Sequence, residues 1–343
     1  LWANATITTG GLTVNVAGTA GYESFWRDGL VKKGLFPDNS KGKSEKSEYF
    51  TYSGKAAIAY TLNGGHRFSA NAAYLNEAPT FNASFVSART RNTRLSDLCP
   101  DFTTRKTLAF DVNYQLNAPW MQLRATAYWA KIFDQSDVMS FYDDSQNSFT
   151  NFAMTGIAER HLGVELGVKV PLPVQGLSVS GVFAWGDNVY VKNRGKDPYM
   201  VQTIDNSAEI VREGTVPYWV STPVFKKEYD DIGNVYSWDA DEGNPIVEKN
   251  QKHYVPSSPQ IAAEIALNYR TSSYWFFEVN AQYFGKSYLD MNPLYRTSYA
   301  VAGADGIASP SEIEYLTAQE SLFSLSDGSN PAFTHFLLNA SVG

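Results

Sequence analysis

Residues 160–185 read RHLGVELGVKVPLPVQGLSVSGVFAW, two alternating apolar runs joined by a short connection containing proline and glycine. Leu162, Val164, Leu166, Val168 and Val170 take every second place, with His161, Gly163, Glu165, Gly167 and Lys169 between them. A period of two means an extended chain, because successive side chains of a strand point to opposite faces. Each run spans about nine to eleven residues, longer than the usual five or six of a soluble sheet and matched to a tilted membrane strand. The pattern places Leu166 against hydrocarbon and Glu165 and Lys169 in a polar interior.

The same ribbon recurs along the chain. Leu12, Val14 and Val16 alternate with Thr13, Asn15 and Ala17; Ile58 and Tyr60 oppose Lys55; and Phe68, Ala70, Ala72 and Tyr74 oppose Arg67, Ser69 and Asn71. Leu108, Phe110, Val112 and Tyr114 alternate with Asp111, Asn113 and Gln115, and "MQLRATAYWA" follows directly. Ile261 to Tyr269 oppose Glu264 and Asn268, Trp275 to Tyr283 oppose Glu278, Asn280 and Gln282, and Phe336 to Val342 oppose Asn339 and Ser341. Alternation alone predicts about eleven strands.

The connections add a second signal. Short turns at 10–11, 62–65, 117–120, 172–176 and 270–273 alternate with long polar segments at 23–51, 76–106, 133–159, 187–259 and 285–332. Long loops are uncommon in compact domains. Here they follow every second strand, which puts them all on one rim, the organisation of a transmembrane barrel with long extracellular loops. Tyr60, Tyr114, Trp120, Tyr269 and Trp275 fall near the short turns, whereas Tyr22, Phe25, Tyr74, Trp129, Trp185 and Tyr283 fall near the long loops. Two rows of amphipathic rings mark two membrane interfaces.

Composition agrees. Of the 343 residues, 14% are aromatic, which favours pleated surfaces. Mean hydropathy is -0.29, and no run approaches the roughly 18 apolar residues of a membrane helix. The net charge of -7 comes with scattered Lys and Arg, which argues against nucleic acid as a partner. A single cysteine, Cys99, excludes an internal disulfide.

The segment "YLNEAPTFNASFVSARTRN" (74–92) resembles the barrel of TonB-dependent outer-membrane receptors of the Bacteroidetes type. So do "LRATAYWAKIFDQSD" (123–137), "GIAERHLGVELGVKVPLP" (156–173) and "HYVPSSPQ" (253–260). The resemblance implies an all-β, antiparallel transmembrane barrel of about 22 strands surrounding a plug, of which residues 1–343 would be about half. Leu1 follows no signal segment and Gly343 interrupts an alternation, so the expectation is a fragment without plug, TonB box or either barrel end. The implied function is active import of a scarce nutrient, such as an iron chelate, cobalamin, oligosaccharide or peptide, across the bacterial outer membrane. The implied partners are outer-membrane lipid, the TonB, ExbB and ExbD complex acting through the plug, and a surface lipoprotein. A passive porin or surface adhesin would share the barrel and lack the plug.

Motifs of catalysis are missing from the sequence: there is no G-x-S-x-G elbow, H-E-x-x-H or P-loop. The reading is therefore a transporter with no enzyme activity and no cofactor. His66, His161, His253 and His335 lie far apart, and His161 is expected to cap the interior row rather than ligate a metal. "WDADEGNPIVE" (238–248) offers Asp239, Asp241 and Glu242, either as oxygen ligands for calcium or as a solvated acidic loop. Arg89, Arg91 and Arg94 form a basic cluster that could hold a carboxylate or phosphate in a bidentate fork, or lie in an exposed loop or against the plug. Trp219 and Trp238 in the longest loop offer flat surfaces to a ligand, or pack that loop upon itself. Asp111, Arg124, Glu165, Lys169, Glu264 and Glu278 point into the interior by parity, where a plug would supply their partners.

Overall fold

The computed structural model describes residues 1–143, 147–204, 210–215, 221–225, 228–229, 235–237, 247–252, 254–256, 259–288 and 336–343. Eleven strands follow one another in a single antiparallel sheet. They are β1 (Trp2–Thr9), β2 (Leu12–Phe25), β3 (Ser47–Leu62), β4 (His66–Glu77), β5 (Arg105–Ala118) and β6 (Met121–Asp143). Then come β7 (Ser148–Pro171), β8 (Leu177–Gly186), β9 (Ile261–Arg270), β10 (Phe276–Gly285) and β11 (Phe336–Val342). Among the described residues β1 and β11 each pair on one side only, so the sheet is an open part of a barrel wall.

Direct cross-strand partners share a face, so the register fixes which side chains lie together. One row runs Tyr60, Phe68, Tyr114, Ala125, Leu166, Phe183, Ala263, Tyr283 and Phe336. The adjoining row runs Thr61, Arg67, Gln115, Arg124, Gly167, Val182, Glu264, Gln282 and Leu337. The first is apolar and the second largely polar, as the alternation requires. Ile58, Leu166, Leu267, Phe277 and Leu338 are exposed large apolar side chains, which in a membrane protein marks the lipid-facing surface. Trp120 and Trp275 are exposed at the short-turn rim, and Tyr22 and Trp185 toward the other.

The rim with long connections departs from expectation between 133 and 159. The described residues of that stretch are almost entirely strand: β6 and β7 run 23 and 24 residues, roughly twice what a membrane crossing needs. The register shifts near Ile132 and Gln135, with Asp134 at φ 55°, and pairing resumes from Ser136↔Thr155 to Asp143↔Ser148. The backbone ladder continues above the membrane although the apolar alternation does not, because lipid no longer faces either side.

The hydrophobic core lies on this upper rim. Strand Tyr199–Ile204 pairs with the upper half of β7 and with Ile210–Thr215. One face of the resulting platform buries Phe152, Met154, Ile157 and Met200. The other buries Ala153 and Val201 against Val86, Leu95 and Cys99 of the β4–β5 connection. That connection carries a 3-10 turn, Asn82–Ser84, and a single helical turn, Leu95–Leu98.

Candidate functional site

The candidate site is the concave face of the sheet, built by the alternate residues that lipid does not claim. Its centre is a chain of hydrogen bonds across β4, β5 and β6. Asn71 Nδ2 donates to Asp111 Oδ1 at 2.6 Å, Asn113 Nδ2 donates to the same oxygen at 2.5 Å, and Thr126 Oγ1 donates to Asn113 Oδ1 at 2.7 Å. Toward β11, Gln282 Nε2 donates to Glu264 Oε2 at 2.6 Å, Asn280 Nδ2 to Glu278 Oε1 at 3.0 Å, and Asn339 Nδ2 to Asn280 Oδ1 at 3.0 Å. Amide side chains thus orient the carboxylates without neutralising them.

Between these chains lies a depression of about 350 Å³ lined by Arg124, Thr126, Glu165, Val182, Glu264 and Gln282, among others. Three of the six interior charges expected from parity, Arg124, Glu165 and Glu264, meet there. Among the described residues no ion pair involves any of these three. Asp111 belongs to the neighbouring hydrogen-bond chain, while Lys169 and Glu278 share the face but do not line the depression. Gly163 keeps the wall low: a Cβ there would stand 2.4 Å from the Trp185 carbonyl oxygen and 2.5 Å from Tyr128 Oη.

At the upper end of this face His161 lies 2.9 Å from Glu159 Oε2 and 3.1 Å from Asn188 Oδ1, the capping position expected of it. The arginine cluster separates. Arg91 is buried, donates to Thr203 Oγ1 at 2.6 Å and stacks on Phe36 at 4.9 Å. Arg94 is clasped by Asp97 and Glu45, each at 2.7 Å, and donates to the Lys46 carbonyl at 2.7 Å. Arg89 is exposed. Trp219 and Trp238, the acidic group Asp239, Asp241 and Glu242, and His253 and His335 lie outside the described residues. The amides Asn71, Asn113, Asn280, Gln282 and Asn339 were legible as interior by parity, but which of them meets a carboxylate across a strand, as Asn71 and Gln282 do, depends on the register.

Sequence reasoning gave no hint of Arg27, which joins two rim loops. Its Nε donates to the Ala88 carbonyl at 2.6 Å, and its Nη1 to the Ser40 carbonyl at 2.8 Å and to Asn92 Oδ1 at 2.5 Å.

An antiparallel wall that is apolar outside, polar inside and fringed by long connections on one rim defines a transmembrane β-barrel, the fold of proteins that reside in the bacterial outer membrane. Among 39 solved chains with a similar fold is "Copper transporter OprC", at TM-score 0.52 and 12% identity, the match covering 82% of this chain and 34% of that one. Others are the ferric-catecholate import receptor Fiu from K12 E. coli in a closed form (TM-score 0.45, 13% identity, 83% and 33%) and the FrpB iron transporter from Neisseria meningitidis (0.39, 11%, 82% and 40%). The chain spans about a third of the length of the first two. No protein-family model and no curated protein sequence matches it.

Proposed function

We propose that this chain is barrel wall of a TonB-dependent importer in the bacterial outer membrane, a protein that takes up a scarce nutrient with energy delivered through a plug by the TonB, ExbB and ExbD complex. The observation that carries the reading is the concave depression, where Arg124, Glu165 and Glu264 stand among apolar neighbours such as Val182 and Phe284 with no ion pair among the described residues. A water-filled pore tolerates such charges, and a plug that moves during transport would use them as contacts that can be made and released. The fold match to a solved copper transporter supports the transport class. Residues 1–343 then form part of one barrel, the plug and remaining strands being supplied by the rest of the protein.

The test is uptake of the growth-limiting nutrient by cells expressing the whole protein, with and without TonB. Import that vanishes without TonB supports the proposal. Uptake indifferent to TonB would make the barrel a passive porin, and none in either strain would favour an adhesin.

A further inference from the structure

The loop between β2 and β3 has a composition and placement that transport does not require. Between Trp26 and Lys46 it carries six cationic side chains against three carboxylates, in a chain whose net charge is -7. Leu30, Val31 and Leu35 are 84%, 63% and 61% exposed, interleaved with the exposed Lys32 and Lys33. Trp26 continues the outward alternation of β2, and Lys43 and Lys46 hold their ammonium groups 5.4 and 5.5 Å from its ring centroid. Its sequence neighbour Arg27 points the other way and fastens the loop to Ala88 and Asn92. The loop is thus a held structure with a cationic aromatic face turned away from the barrel interior.

Its height follows from strand geometry. At about 3.3 Å per residue and a tilt of about 40°, each residue climbs about 2.5 Å, so an apolar band about 25 Å tall takes about ten residues. Trp26 follows the last residue of β2, a strand of 14 residues that starts beside the Gly10 turn. It therefore clears the hydrocarbon and stands at the level of the outer headgroups. Outward Tyr22 and Phe50, direct partners across β2 and β3, mark the interface just below. Asp28 is the cross-strand partner of Lys43, but among the described residues neither Lys43 nor Lys46 forms an ion pair, and the nearby Glu45 is taken by Arg94.

We propose that Trp26, Lys43 and Lys46 form an annular binding site for a phosphorylated glycolipid headgroup of the outer leaflet, with Leu30, Val31 and Leu35 entering the interface beside it. An indole at headgroup depth sets the position, and the two ammonium groups supply the charge that a lipid phosphate lacks a partner for. The proposal rests on the membrane reading and is independent of import.

The whole protein, reconstituted in phosphatidylcholine discs doped with phosphorylated or dephosphorylated lipid A, is examined for lipid retained per protein by native mass spectrometry. Heat-modifiable mobility confirms that each variant is folded. Wild-type protein should retain the phosphorylated lipid preferentially, and inorganic phosphate should not displace it. Retention should fall about fivefold for each lysine removed, in Lys43→Gln alone and further in the Lys43→Ala, Lys46→Ala pair. Lys55→Ala, which removes the same charge from the concave face, should leave it unchanged. Undiminished retention in the double variant, equal retention of dephosphorylated lipid, or displacement by inorganic phosphate would overturn the proposal. Failure of wild-type protein to enter discs would instead overturn the membrane reading beneath it.

Discussion

Asn71 donates to Asp111 at 2.6 Å across β4 and β5, while their sequence neighbours Ala72 and Phe110, also direct partners, lie on the opposite face. One residue of displacement along either strand separates an aqueous wall from a lipid-facing one. This sets very different tolerances for adjacent positions.

Leu166 and Gly167 make the sharpest comparison. Leu166 is 43% exposed on the lipid side, whereas a Cβ at Gly167 would meet only Val182 Cγ1 at 3.9 Å. Leu166→Arg should cost roughly 2 to 4 kcal/mol near the midplane, and Gly167→Ser far less. Folding titrations into lipid vesicles measure both, and equal penalties would contradict the face assignment.

Gly163→Ala should impair assembly more than Gly167→Ala does. The new methyl would stand 2.4 Å from the Trp185 carbonyl oxygen, a backbone atom that can move only with its strand. Overpacking of this kind costs about 1 to 3 kcal/mol. The fraction of heat-modifiable, folded barrel recovered from membranes reports it.

Cys99 should be unreactive in the folded protein. It is 1% exposed, and burial pushes its thiol up to about 11. Because the folded state favours the protonated thiol, its contribution to stability is whole below the ordinary thiol range and is lost as pH rises toward 11. Maleimide labelling at neutral pH should be slow until denaturant is added; rapid labelling of native protein would refute the buried assignment.

Arg27→Ala should free the β2–β3 loop. Arg27 is 8% exposed and its guanidinium holds Ala88, Ser40 and Asn92 together, so its loss leaves one buried and two part-buried acceptors without their donor at about 1 to 3 kcal/mol. Trypsin should then cut at Lys32, Lys33 or Lys41 several-fold faster in intact membranes. An unchanged cleavage rate would show that the loop is held by other contacts.

What the sequence determined by itself is the wall. Period-two alternation is a local property of each strand, and lipid on one side imposes it residue by residue, so Leu162 to Val170 reveal both the strand and the orientation of Glu165 and Lys169. The short turns at Gly10 and Gly176, both at positive φ, were equally legible because their geometry is local. What only the tertiary structure decided is the rim and the site. The upper halves of β6 and β7 carry no lipid-imposed pattern, so residues 133–159 read as loop although backbone pairing continues as far as Asp143 and Ser148. Arg91 and Arg94 looked like exposed ligands because nothing nearby in sequence shows that Thr203, 112 residues on, or Glu45, 49 residues back, would engage them. The meeting of Arg124, Glu165 and Glu264 depends on register between strands far apart in the chain. Parity assigns a side chain to a face, and only pairing assigns it a neighbour.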